Sequence, residues 1–244
     1  MNKIILLICI IVVVIASHVA FGQQQEGVIT YEISINVHRT LPPDRQDMKA
    51  MVPEYRIVKE QLFFNATESL YKPLIEDNED EDTGSRGGGR RMRFRQRVEI
   101  YCNPNSGKII SQQEFMGKNY LIEDSVKVAP WKFGSETKTI LGYECKQASY
   151  TDEDRKQTMT AWYTDRLRPF LGPDRFNTLP GAVLAVDINN AERVTVAKKI
   201  ELRSLKNDEL KLPTSGQKTT QAEFRKMVEE QMKNRRGDRL IIQN

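Results

Sequence analysis

Histidine and cysteine are almost missing from this 244-residue chain: His18 and His38, and Cys9, Cys102 and Cys145, are all it has. A structural zinc site takes four Cys/His ligands and a catalytic one commonly two or three histidines. Copper favours soft ligands, but His38, Met48, Met51 and Met92 are spaced for no tight site. No Gly-x-Ser-x-Gly elbow, P-loop or His-Glu-x-x-His stretch occurs. An enzyme needs a base, a nucleophile or a metal within mutual reach. His38 beside Asp44, with any serine, is the only material for a triad, and nothing singles out a carboxylate pair. The expectation is a protein without catalytic residues, metal or cofactor.

Long apolar runs are also missing beyond the N-terminus. Ile4–Ala16 is unbroken apolar sequence, short of the ~20 residues that span a bilayer. Ala20-Phe21-Gly22 has the small-x-small form of a signal cleavage site. Residues 1–22 therefore read as a signal peptide, and no membrane span is expected after cleavage. The formal net charge of +4 loses only Lys3 with that segment and becomes +3. That is too slight to imply nucleic acid. About 220 residues remain, enough for one β domain. In an oxidising compartment Cys102 and Cys145 read either as a disulfide or as two buried thiols on different strands.

What the chain does contain is short β segments punctuated by turns. Ile29, Tyr31, Ile33, Ile35 and Val37 alternate with Thr30, Glu32, Ser34 and Asn36, the pattern of a strand wet on one face. Further strands are expected over 55–64, 69–74, 95–101, 108–115, 120–123, 137–140, 143–151 and 158–163. A strand after residue 182 places Leu184, Val186 and Ile188 on one face. A last one places Val194, Val196, Ile200 and Leu202 together, with Lys198 out of pattern. Residues 76–93, acidic, then glycine-rich, then arginine-rich, read as a flexible loop whose limbs compensate each other. Thr220-Gln221-Ala222-Glu223 has capping-box spacing. Phe224, Met227, Val228 and Met232 follow as an apolar stripe, and Gly237 suits a helix end.

The predicted architecture is mainly β (α+β): one strongly curved antiparallel sheet or half-open barrel of about ten strands. A C-terminal helix over 220–236 packs on it. The β domain runs 23–212, and 213–244 holds linker, helix and tail.

Trp162-Tyr163 closes a strand, and a loop with Phe170, Gly172-Pro173, Phe176 and Leu179-Pro180-Gly181 follows. Pro180-Gly181 reads as a type II turn with Gly181 at positive φ. Loops on a rigid sheet commonly carry binding, so Trp162, Tyr163, Phe170, Phe176 and Leu179 are the candidate contact residues. The bland alternative is that they plug the core.

Thr178–Val183, together with Ser69–Lys72, Trp131-Lys132, Lys138–Ala148, Ala161–Thr164 and Gly172-Pro173, resembles the GLPGLI family of Bacteroidota. Thr178, Ala182 and Val183 depart from the family's Gly, Leu and Ile. The resemblance implies a secreted, periplasmic or outer-membrane-associated protein and carries over no catalytic residue. It also makes Asp124-Ser125-Val126 an O-glycosylation acceptor form, with Ser125 the glycan site. The functional expectation is a non-catalytic binding module holding an apolar ligand or an outer-membrane or envelope protein on its curved sheet. The alternative is a structural or interaction protein of the envelope with a solid core.

Overall fold

The computed structural model describes residues 26–74, 98–153 and 155–241. The signal segment 1–22 and the acidic and basic loop 76–93 lie outside the described residues. Twelve strands form one sheet: β1 (Gly27–Asn36), β2 (Tyr55–Phe64), β3 (Ser69–Pro73), β4 (Val98–Asn103), β5 (Lys108–Phe115), β6 (Lys118–Ser125), β7 (Lys132–Ile140), β8 (Tyr143–Asp152), β9 (Gln157–Thr164), β10 (Ala182–Ile188), β11 (Arg193–Leu202) and β12 (Gln217–Thr220). The order is β12-β6-β5-β4-β3-β2-β1-β11-β10-β9-β8-β7, so the sheet is open, with β12 and β7 at its edges. Among the described residues the strands pair antiparallel except β12 with β6, and Leu171 makes an isolated parallel bridge to Ala182. A short helical turn, Val37–Thr40, follows β1, and the one long helix among the described residues, α1 (Gln221–Ile241), follows β12.

The alternation expected of β1 holds in its middle, where Ile29, Tyr31 and Ile33 are fully buried, but not at its ends: Asn36 is buried, Ile35 only partly so, and Val37 lies in a helical turn beyond the strand. Two other alternations are broken by bulges. Thr30 pairs with Lys199 and Tyr31 with Ala197, so Lys198 is the extra residue. Ile200 therefore pairs with Ile29 while Val196 pairs with Glu32, and the two valines of β11 do not share a face with Ile200. In β10 the register slips between Val183 and Ala185. That puts Leu184 in a different buried cluster from Val186.

The largest cluster runs from Ile140 and Cys145 through Leu184, Ala197 and Tyr31 to Ile100, Cys102 and Ile109, and takes in Leu167 and Leu171 of the β9–β10 connection. A second gathers Ala148, Ala161, Tyr163, Leu179, Val183 and Val186 under Trp131 and Phe176. Leu210 covers a third, built from Leu70, Tyr101, Ile110 and Leu121. Phe224 of α1 seats against Tyr120 and Ile122 of β6, with Phe115 beside it. The capping box is formed: Thr220 Oγ1 accepts from Glu223 N, and Glu223 Oε2 accepts from Thr220 N. The helix packs at the β6 end of the sheet and runs on through Gly237, which does not terminate it.

Cys102 and Cys145 are free and buried, on β4 and β8. The disulfide reading is thereby corrected in favour of separate thiols. Burial pushes both up to about 11.

Candidate binding groove

The β9–β10 connection packs its own side chains into the core of the sheet. Leu167, Leu171 and Leu179 are buried, and Val183 N donates to Leu171 O at 2.8 Å. Arg168 crosses to β3, its Nη2 donating to Glu68 O at 2.7 Å. Burial lowers that guanidinium to about 10. Arg175 donates to Ser111 Oγ of β5 at 3.3 Å and to Gln221 Oε1 of α1 at 2.6 Å. The connection is thus tied to both halves of the sheet.

Its glycines serve close approach rather than backbone freedom. A Cβ on Gly172 would collide with Phe176 O, and one on Gly181 with Thr164 O. Gly181 is not among the residues at positive φ, so the type II reading of Pro180-Gly181 is corrected. Thr178 stands where its hydroxyl accepts from Trp131 Nε1 at 3.1 Å. A glycine there could not make that bond.

The five candidate contact residues do not form one site. Trp162 and Tyr163 are adjacent in a strand and so point to opposite faces. Tyr163 is buried with its ring edge-on to Phe133. Leu179 is wholly buried, and Phe176 lies half-buried against Trp131, which also meets Tyr150 edge-on. Phe170, at φ 59, is 37 % exposed. For Tyr163, Phe176 and Leu179 the core-plug alternative is what the structure shows. His38, the candidate base, approaches the Val52 carbonyl with its Nε2 at 3.0 Å. Ser125 is exposed at the end of β6, its N–H on its neighbour's Asp124 Oδ1.

Trp162, partly buried against the largest cluster, also borders a groove. That groove is open, about 590 Å3 in volume, and lined by Lys138 of β7, Thr158 and Thr160 of β9, Asp187 of β10, and Asn189 and Asn190 of the following turn. Lys138 Nζ sits 4.7 Å from the indole centroid. The turn is unusual: Asn189, Asn190 and Ala191 hold φ of 54, 52 and 67 in succession. Asparagine tolerates this region; alanine does so at a cost. Arg39 fixes the turn, donating to Asn189 O at 2.8 Å and Asn190 O at 2.5 Å. Asp187 Oδ1 accepts from Ala191 N at 2.7 Å, and Asn189 Oδ1 from Thr158 N at 3.0 Å. The sequence signals were present but unjoined. Thr158, Thr160 and Trp162 have period two, and Asn189-Asn190 reads as a turn. Their meeting depends on β9–β10 pairing. Among the described residues no three Cys, His, Asp or Glu side chains are grouped to hold a metal.

A family model described as N-glycanase peptide, N-terminal domain, matches residues 96–225, just over half of the chain. The chain belongs to the PNGase F-II N-terminal domain family. Solved structures of PNGF-II in two space groups are similar in fold, each at 18 % identity and a TM-score of 0.56. They cover 84 % of this chain, which spans about a third of their length, 33 % and 32 %. No curated protein matches the chain.

Proposed function

We propose that this domain is a non-catalytic binding module of a secreted or envelope protein, and that it binds at the groove beside Trp162 rather than on the buried side of its sheet. The observation that carries this reading is the groove itself. It places a half-buried indole among polar side chains next to a turn held rigid in an uncommon conformation, and strain of that kind clusters at ligand clamps. The N-terminal signal pattern and the GLPGLI resemblance support the location. An apolar ligand under the sheet has less support, because Leu167, Leu171 and Leu179 of the chain itself are buried there.

Native mass spectrometry of the mature protein recovered from the envelope tests this, with Trp162→Ala and Thr160→Lys alongside. A stoichiometric bound molecule held by the wild type and released by both variants is the expected result. Bare protein throughout, or a molecule that both variants retain, refutes the groove assignment. Bare protein would favour the interaction-protein alternative. Its supporting observation is the exposed edge strand β7, where Phe133 is 62 % exposed.

A further inference from the structure

Resting on that groove being a binding site, we infer that its ligand is a largely uncharged oligosaccharide stacked on Trp162. Three features of the groove select this chemistry. First, the indole supplies an apolar plane, which suits the C–H face of a pyranose ring. Second, the polar groups around it are of both kinds and nearly neutral together. Lys138 and Asp187 are the two charged side chains, and Thr158, Thr160 and Asn190 are uncharged groups that both donate and accept. Asp187 spends one oxygen on Ala191 N and keeps the other. A phosphorylated or sulfated ligand calls for several cations, and among the described residues lining the groove Lys138 is the one cation, Arg39 being spent on the carbonyls of Asn189 and Asn190. Third, the groove is open and lies along a strand face. A lipid calls for an enclosed apolar cavity, and an added peptide strand calls for a sheet edge. Here Trp162, Thr160 and Thr158 line the floor at alternate positions of β9, an internal strand between β8 and β10. From Trp162 to Thr158 that floor extends ~13 Å at the usual strand rise, a length suited to a short glycan rather than a single sugar.

The turn completes the site. Arg39, reaching from beyond β1, and Asp187 hold Asn189–Ala191 before any ligand arrives, so little ordering is left to oppose binding. Asn189 uses its side chain on Thr158 N and Glu192. Asn190 has no side-chain hydrogen bond among the described residues and is exposed. It is the turn's recognition residue, and Asn189 its positioning residue. Lys138 lies over the indole. A ring that stacks there displaces the ammonium, which then becomes a hydrogen-bond donor at the rim.

Isothermal titration of the mature protein with defined oligosaccharides tests this: a chitobiose-core N-glycan, a high-mannose N-glycan, a sialylated N-glycan and a sulfated disaccharide. Emission of Trp162 is followed in a Trp131→Phe background. The expected result is binding of an uncharged glycan with a change in Trp162 emission. Trp162→Ala should weaken it by about tenfold or more, as for a buried aromatic anchor. Lys138→Ala, which removes the rim donor but leaves the indole, should weaken binding less than Trp162→Ala and keep the change in Trp162 emission. Thr160→Lys, from a half-exposed strand position, keeps the test informative where Trp162→Ala fails to fold. Binding confined to the sulfated or sialylated probe overturns the uncharged assignment. Failure of all four probes, while an envelope molecule still leaves with Trp162→Ala, overturns the saccharide and spares the binding module. Failure of both overturns both.

Discussion

Replacing Gly181 by alanine separates two reasons for a glycine. Among the glycines, Gly142 has φ 81 and nothing within 4 Å of a built Cβ, so it is there for conformation. Gly181 has no positive φ, and its Cβ would strike Thr164 O, with Thr164 C at 2.7 Å and Tyr163 Cδ2 at 3.0 Å. The obstacle is backbone, and Thr164 is the register partner of Ala182. Relief therefore requires β9 and β10 to part at the point where the β9–β10 connection rejoins the sheet. Overpacking of this kind costs about 1–3 kcal/mol. The lost flexibility of the unfolded chain offsets about 0.4–1 kcal/mol of that. The net expectation is a loss of about 1–2 kcal/mol, or about 2–8 °C in Tm for a domain of this size. Urea unfolding of the mature protein should show a lower midpoint at unchanged slope. Asparagine sharpens the comparison, because it tolerates the left-handed region. Gly142→Asn should be nearly neutral, whereas Gly181→Asn should be worse than Gly181→Ala. A neutral or stabilising Gly181→Ala, or an Asn substitution better tolerated at 181 than at 142, would refute close approach as the reason for this glycine.

Leu171→Ala removes a fully buried side chain of the largest cluster and should cost about 2–5 kcal/mol, read as a fall in urea midpoint. Arg203 grips Glu209 through both guanidinium nitrogens, at 2.8 and 2.7 Å, holding its carboxyl at about 2. Because the folded value lies below the ordinary one, the stability this pair contributes is present above about pH 4.5 and is lost as pH falls towards 2. Both groups are partly exposed, so about 1 kcal/mol or less is at stake. Glu209→Gln should flatten that segment of a stability-against-pH curve. Cys102 and Cys145, raised to about 11 by burial, should resist a thiol-disulfide reagent at pH 8 until denaturant is added; rapid labelling of the native protein would contradict their placement.

The strands that were legible in the sequence are runs of β-type residues bounded by turn signals, even where burial grades along the strand, as in Tyr55–Phe64, rather than alternating between faces. Tyr55–Phe64, Lys108–Phe115 and Tyr143–Asp152 match their expected spans to within a residue. β12 was not expected at all, and its sequence, Gln-Lys-Thr-Thr, shows why: it gains a ladder with β6 but buries no apolar face. The first half of β7 escaped for the same reason, since every residue of that strand except Ile140 is exposed. Bulges defeated two face assignments, because period-two reasoning carries no term for an inserted residue. Lys198, the one residue that broke the β11 pattern, is the bulge itself. The groove was less legible than the fold. Trp162 was singled out for being an aromatic beside a loop, yet its partners come from β7, β9, β10 and the turn after β10, and strand order is not written in local sequence.

Filling the sheet from within commits most of the aromatics around the β9–β10 connection to packing. An antiparallel sheet with one buried face must cover that face with something, and here the cover is the segment that carries the Gly-Pro and Pro-Gly pairs. Gly172 and Gly181 allow that segment to lie directly on backbone. Trp131 and Thr178 bond across it, and Arg175 ties it to β5 and α1. Tyr163, Phe176 and Leu179 are thereby committed to packing. Trp162, one residue from Tyr163, is turned the other way by the pleat; it is partly buried against the largest cluster and also borders the groove beside Asp187 and Asn190, with Lys138 over its ring. The same alternation that hides Tyr163 turns Trp162 towards the groove, so lengthening β9 by one residue before Trp162 would exchange their faces and disrupt the packing of Tyr163.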